Sequence, residues 1–362
     1  MAPAAFWLIL GAVALLSVIG LVMVASASTV LSVRIHGTAW HFFERQAYVV
    51  VVGSVAMLVV SRIDHRRFER WATLLLGSAF VGLVLVLVDS PISRGRVKGS
   101  ARWLDIGPVD FQPSELAKLA VIVWVAGLLS RRAKNMGDWR MTYLPVGLML
   151  APILLLVFLE PDLGTIVVVL TVVGVMMVVA GARLDLMFLA ALGILPLLAY
   201  QAFSGYHADR WGFLNPWEDP EHTGFQLLGS MSGVASGGWF GVGPGASKAK
   251  WGYLPEAHTD AIFAVVGEEF GLVGSVAVIA LYATLVLAGV RVARTAPDRF
   301  GALLATGLSA WIGFQAFVNI GVSVGVLPNK GFTLPFVSYG GSSLLVLLVA
   351  AGMLLGIARR AR

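Results

Sequence analysis

Residues 6–28 read Phe6-Trp7-Leu8-Ile9-Leu10-Gly11-Ala12-Val13-Ala14-Leu15-Leu16-Ser17-Val18-Ile19-Gly20-Leu21-Val22-Met23-Val24-Ala25-Ser26-Ala27-Ser28, without one charged side chain. At about 1.5 Å of rise per residue, such a run crosses the roughly 30 Å hydrocarbon slab of a bilayer as a helix. It lacks the basic leader of a secretory signal and is longer than a signal's apolar core, so it is expected to stay as a span. Further apolar windows lie at 46–61, 72–89, 114–130, 142–159, 165–180, 184–203, 261–290, 301–327 and 338–357. Of the 362 residues 58% are apolar and 13% charged, against about 25% charged in a soluble domain, and the mean hydropathy is +0.85. These values exclude an ordinary cytosolic enzyme. The expected fold is all-α, a polytopic membrane protein with ten transmembrane helices in one membrane domain over 1–362.

Cysteine is absent, which removes disulfides, thiolate nucleophiles and Cys-ligated zinc. The basic residues sit in short loops, so no nucleic-acid partner is expected. Of 26 Lys and Arg, fifteen fall in one set of alternate loops, among them Arg62, Arg66, Arg131, Arg294 and Arg360; ten fall in the other, and Lys118 lies inside a span. The positive-inside rule places the fifteen, with both termini, in the cytoplasm. Four of the ten outer cations, Arg94, Arg96, Lys98 and Arg102, crowd together on the disfavoured side, as an anionic ligand at the outer face would require.

Between the seventh and eighth spans, residues 204–260 carry Trp211, Trp217, Phe225, Trp239, Phe240 and Trp251, enough aromatic surface to pack at a membrane interface. An ordered extracytoplasmic cap is expected there. The glycine-dense run 233–245 does not follow a strand and open a helix, which argues against a nucleotide loop. No internal repeat is visible.

Charges inside spans are expensive, on the order of 2.5–3.5 kcal/mol each, and so are functional candidates. Glu115 and Lys118 share a helix face at i, i+3, as either a self-paired clamp or a wall of a site. Asp162, ahead of an apolar run, suits an N-cap or a ligand contact. In 254–272 the uncharged stretch from Phe270 to Val290 already suffices to span, leaving 260–269 as surplus helix with Asp260, Glu268 and Glu269 at or above the outer interface. Asp260 suits either an N-cap or a carboxylate facing both substrate and water, with His258 and Thr259 beside it, while Glu268 and Glu269 read as structural. The prolines and glycines of 327–343 forbid a regular helix, and broken backbone at membrane depth persists only where protein or a cavity satisfies it. The stretch reads either as a cavity wall with Lys330, Ser338 and Ser342 as anion contacts or as a tight helix entry of purely structural purpose.

Several stretches together resemble the FtsW/RodA, or SEDS, family: Gly99-Ser100-Ala101-Arg102-Trp103-Leu104 with Gln112-Pro113-Ser114-Glu115-Leu116-Ala117-Lys118, then Pro161-Asp162-Leu163-Gly164-Thr165, then Pro255 to Glu269, and Pro335-Phe336-Val337-Ser338-Tyr339-Gly340-Gly341-Ser342-Ser343. Phe213-Leu214-Asn215-Pro216-Trp217-Glu218-Asp219-Pro220 and Pro328-Asn329-Lys330-Gly331 are similar to the FtsW, or division, branch. The resemblance implies ten spans and a peptidoglycan glycosyltransferase that polymerises lipid II at the outer face of the bacterial cytoplasmic membrane during cell division, releasing undecaprenyl pyrophosphate. It places the family's essential aspartate at Asp260; Ala261 departs from the aromatic residue that many relatives carry next. On that reading Asp260 is the general base for the acceptor hydroxyl, which burial would favour and an exposed helix N-terminus oppose. Arg94, Arg96, Lys98, Arg102, Arg210 and Lys330 are the candidates for holding the pyrophosphate. A bridging Mg²⁺ or Mn²⁺ is a further expectation. The resemblance also implies as partners the nascent glycan strand, membrane lipid, other division proteins and a class B penicillin-binding protein, the last supplying the transpeptidase activity expected to be lacking here, where no soluble domain carries a Ser-x-x-Lys motif. The rival readings are a lipid II flippase and a non-catalytic division scaffold.

Overall fold

The computed structural model describes residues 3–88, 93, 102–106, 109–203, 215–222, 224–328 and 331–361. Its helices are α1 (Ala4–His36), α2 (His41–Val60), α3 (His65–Leu87), α4 (Pro113–Arg131), α5 (Leu144–Leu159), α6 (Leu163–Ala180), α7 (Leu184–Phe203), α8 (Phe225–Ser236), α9 (Ile262–Thr295), α10 (Arg299–Ser323) and α11 (Gly341–Ala358). Among the described residues nine helical segments are long and apolar enough to cross a bilayer. The 20-residue α7 occupies the window expected for the seventh span, and α8 is a 12-residue helix of the cap.

Acidic caps start several helices: Asp64 accepts the Arg66 N–H at α3, Asp162 that of Thr165 at α6, and Asp298 that of Gly301 at α10. Each satisfies an amide that has no partner within its helix. Helix α4 instead begins with Pro113, whose missing N–H costs nothing at that position. Helices α4 and α11 are buried along most of their length, whereas α2 and α3 bury one stripe and turn the rest outward. On α11 a Cβ at Gly352 would lie 2.5 Å from the Met57 carbonyl oxygen of α2, and one at Gly356 would lie 3.2 Å from that of Ser61 just beyond it, so these glycines let the two helices approach closely, which is how helices associate where lipid removes the hydrophobic drive between them.

Both termini lie at one end, where the Arg359 guanidinium sits 5.1 Å over the Phe6 ring. At that same end His65 and Arg66 both reach Asp298, tying the start of α3 to the start of α10. At the opposite end, here the cap end, the loops are joined by hydrogen bonds between distant segments.

Three features differ from the sequence reading. Helix α1 runs on to His36, 33 residues and about 50 Å at helical rise, so it projects well past the slab. A short antiparallel hairpin, β1 (Leu104–Ile106) and β2 (Val109–Phe111), precedes α4; three-residue strands are too brief to register as an alternating pattern. Asp260 is not on the surplus helix: α9 starts at Ile262, and at Gly271 its backbone leaves helical geometry with φ 66° and ψ −161°. A positive φ of this kind is accessible to glycine at little cost.

Candidate active site at the cap end

The site grows from four polar residues on one stripe of α10. Trp311, Gln315, Asn319 and Ser323 follow one another at intervals of four, so they form a single row along the helix. The Trp311 indole N–H donates to Gln315 Oε1 at 2.9 Å. Gln315 Nε2 donates to the Thr333 carbonyl and hydroxyl, both at 3.0 Å. Asn319 Nδ2 donates to the Asp260 carbonyl at 2.8 Å and also to the Phe332 carbonyl. Ser323, whose hydroxyl returns to Asn319 O at 3.0 Å, lines a small pocket with Asp260, Ala261, Val322 and the α8 residues Gln226, Leu227 and Ser230. This row anchors the two irregular segments, 255–261 and 331–340, to a rigid helix.

Those segments also hold each other. The Ser338 hydroxyl donates to the Thr259 carbonyl and accepts the Leu334 N–H at 2.7 Å. The Tyr339 N–H donates to the His258 carbonyl at 2.9 Å, and the Phe42, His258 and Tyr339 rings cluster within 5.6 Å of one another. Gln46 of α2 donates to the Ser338 carbonyl at 3.2 Å. Each segment contains a non-glycine residue in left-handed backbone, Glu256 (φ 54°) and Phe336 (φ 67°), a conformation that persists only where surroundings fix it.

Asp260 is half-buried at the meeting of these parts. A Cβ placed on Gly331 would lie 3.2 Å from Asp260 Oδ2, so the 331 backbone passes directly beside the carboxylate. With φ 65° at Gly331, that passage suits glycine on both counts. The N-cap position of α9 falls to Ala261, which has no side chain to cap with. The capping alternative for Asp260 therefore does not describe this helix.

The other expected site residues divide into four groups. Glu115 and Lys118 are both buried and paired at 2.8 Å; the ammonium lies 5.2 Å from the Trp311 ring centre, at the foot of the α10 row. Asp162, Ser338, Ser342 and Thr259 are committed to protein. Asp162 binds the Thr165 N–H (3.1 Å) and hydroxyl (2.9 Å), Ser342 joins Asp110 O to the Gln112 N–H, and the Thr259 hydroxyl meets Glu256 at 2.9 Å. Arg102 donates from Nε to Glu160 O at 3.0 Å and from Nη2 to Pro161 O, bracing the α5–α6 turn with two of its five N–H groups. Arg94, Arg96, Lys98, Arg210 and Lys330 lie outside the described residues.

Glu268 and Glu269, read as structural, are buried under the cap. Glu268 accepts the Ser247 hydroxyl and the N–H groups of Lys248 (2.8 Å) and Ala249 (3.3 Å); Glu269 accepts the Ser247 N–H (3.3 Å) and the Ser26 hydroxyl and pairs with Lys250 at 3.4 Å. The sequence reading passed over Gln315 and Asn319 because they are uncharged. Their signal was the four-residue spacing of polar groups through an apolar span. Glu160, which the sequence places beside Asp162 in the outer turn without a role, is wholly buried with neither carboxylate oxygen hydrogen-bonded among the described residues. Burial, reinforced by the Asp162 charge and only partly offset by Arg102, pushes its pKa up to about 8.

Fold and site together define a class: a multi-pass helical membrane protein with an acidic group set in irregular backbone under a cap at one end of the bundle. The chain belongs to the FtsW/RodA/SpoVE family of cell cycle proteins, whose model matches residues 6–362. It is 41% identical over 348 residues to the probable peptidoglycan glycosyltransferase FtsW of Geobacter metallireducens, covering 95% of this chain and 92% of that protein. It is 39% identical over 351 residues to stage V sporulation protein E of Bacillus subtilis, covering 96% and 95%. A solved chain from a peptidoglycan synthase complex that coordinates polymerization and crosslinking superposes with a TM-score of 0.80 at 31% identity, covering 98% of this chain and 97% of that one.

Proposed function

We propose that this protein is a peptidoglycan glycosyltransferase of the bacterial cytoplasmic membrane that polymerises lipid II during division, with the cap end outward and both termini in the cytoplasm. The carrying observation is Asp260. The residue is half-buried and lines a small pocket, and its backbone carbonyl is held by Asn319. The charge asymmetry of fifteen cations against ten supports the orientation, and the likeness to FtsW proteins supports the division role.

In the proposed step the C4 hydroxyl of one muropeptide attacks the anomeric carbon of a chain still linked to its lipid pyrophosphate. The new C–O bond forms as the bond to the diphosphate oxygen breaks, the hydroxyl proton passes to Asp260, and the leaving diphosphate keeps the electron pair. A positioned base of this kind contributes about 10² to 10⁴ in rate. The remaining N–H groups of Arg102 suit a diphosphate at the same end, with Arg94, Arg96, Lys98, Arg210 and Lys330 as further candidates. Among the described residues no three His, Asp or Glu side chains converge, so a Mg²⁺ or Mn²⁺ bridging the diphosphate would take only one or two protein carboxylates, Asp260 among them, and its remaining ligands from the diphosphate and water, where it would neutralise the charge of the leaving group. A class B penicillin-binding protein is the proposed partner for crosslinking.

The rival flippase reading draws on the buried Glu115–Lys118 pair, the main charged pair at membrane depth. Reconstitution with labelled lipid II, with and without the transpeptidase partner, separates the two. Glycan polymer is expected; headgroup translocation without polymer would refute the enzyme reading.

A further inference from the structure

The break in α9 is filled by the cap. Were α9 continuous, the N–H groups of Leu272 and Val273 would bond to the carbonyls of Glu268 and Glu269. Instead Leu272 and Val273 donate to Gly238 O (2.9 Å) and Trp239 O (3.1 Å), while Glu268 O and Glu269 O accept from Val242 (2.9 Å) and Gly243 (3.1 Å). All four backbone groups released at Gly271 are taken up by the glycine-dense loop 238–243.

The depth of this joint follows from the helix. From Gly271 to Val290 there are twenty residues, none charged, and Arg291 comes next. Twenty residues of helix rise about 30 Å, the thickness of the hydrocarbon slab. With Arg291 at one edge of the slab, Gly271 and the loop bonded across it stand at the other. Non-helical backbone is tolerated at that level only when protein satisfies it, as it does here.

The tip of the loop turns outward. Phe240 is 83% exposed and Trp239 70%, and directly below them Leu272 and Val273 of α9 are also exposed, continuing the apolar face of Val276 and Ile279. An aqueous surface gives no reason for such a pair, whereas the boundary between headgroups and acyl chains is where Trp side chains collect. We infer that Trp239 and Phe240 insert into the bilayer at that boundary, with acyl chains and headgroups as their partner, so that the loop 238–243 is a membrane wedge that pins the cap over the site.

The absence of cysteine makes the test direct. A nitroxide is attached to Phe240→Cys in the full-length protein, reconstituted alone in phosphatidylcholine vesicles. Its collision rates with oxygen and with a water-soluble nickel chelate are compared with those of Ile279→Cys, on the lipid face of α9, and Glu218→Cys, on the exposed part of the cap. Oxygen collisions are expected to dominate at 240, with the nickel rate reduced toward that at 279. A nickel rate equal to that at 218 overturns the inference. So does spin–spin broadening that persists on dilution with lipid, which would mean that a second copy of the chain covers the tip. Should Phe240→Cys fail to fold, Val242→Cys on the same loop gives the same reading.

Discussion

Asn319 Nδ2 lies 2.8 Å from the carbonyl oxygen of Asp260 and donates to it, and the same amide reaches the Phe332 carbonyl. One buried side chain thereby sets the distance between the acidic segment and the wall segment. Asn319→Ala frees both carbonyls and is expected to lower kcat about 10- to 100-fold with little change in KM, since a small misplacement of a reacting group is enough for such a loss. Steady-state polymerisation at varied lipid II checks it; a rise in KM alone at unchanged kcat would show that Asn319 serves binding.

Gly331 sits where a Cβ would come within 3.2 Å of the Asp260 carboxylate. Gly331→Ala adds that contact and a left-handed backbone penalty of about 1 kcal/mol. Polymer synthesis is expected to fall while the thermal midpoint drops by only a few degrees; wild-type turnover would separate the 331 backbone from the chemistry.

Glu268 carries three hydrogen bonds from 247–249, two of them from backbone N–H groups. In Glu268→Ala those buried donors lose their acceptor, which costs on the order of 1–3 kcal/mol each when left unsatisfied. Hydrogen exchange at 247–249 is expected to rise sharply, with α4 and α11 unaffected. Uniform exchange across the protein would instead mark a global loss of fold.

Much of this architecture was legible in the chain. Runs such as 6–28 and 165–180 can only be spans, and Asp162, ahead of its apolar run, is the cap of α6 that its position suggests. The acidic cluster at 260–269 was located, but its geometry was not. Asp260 looked like part of a helix because the apolar run that follows it is helical, but α9 begins only at Ile262 and bends at Gly271, where the cap loop fills the break. Gln315 and Asn319 escaped notice because an uncharged amide in an apolar span has no signature beyond its spacing. Ser338 and Ser342 drew attention as hydroxyls near an expected anion, yet they donate to the Thr259 and Asp110 carbonyls of distant loops, a pairing that sequence proximity cannot reveal.

Glu160 provides a pH signature. Its pKa is raised from an ordinary carboxylate value to about 8 in the fold, so the native state holds a proton that the unfolded chain releases. Stability from this group is complete below the unfolded value near 4.5 and declines as pH rises toward 8. Glu160→Gln removes the titration. The variant is expected to match wild type near pH 5 and to exceed it near pH 8, by at most about 5 kcal/mol at 1.36 kcal/mol per pKa unit. Thermal unfolding in detergent across that range measures the difference; parallel curves for the two proteins would refute the buried, neutral carboxyl.

The central claim rests on the Asp260 carboxylate taking a proton from a sugar hydroxyl. Its most direct measurement is the rate of glycan polymer formation from purified lipid II by the reconstituted protein with its transpeptidase partner, comparing wild type with Asp260→Asn and Asp260→Ala. Both variants are expected to fold, to bind the partner and to lose at least about 100-fold in rate, the lower bound for a positioned general base. Polymer made by Asp260→Asn at the wild-type rate would contradict the account.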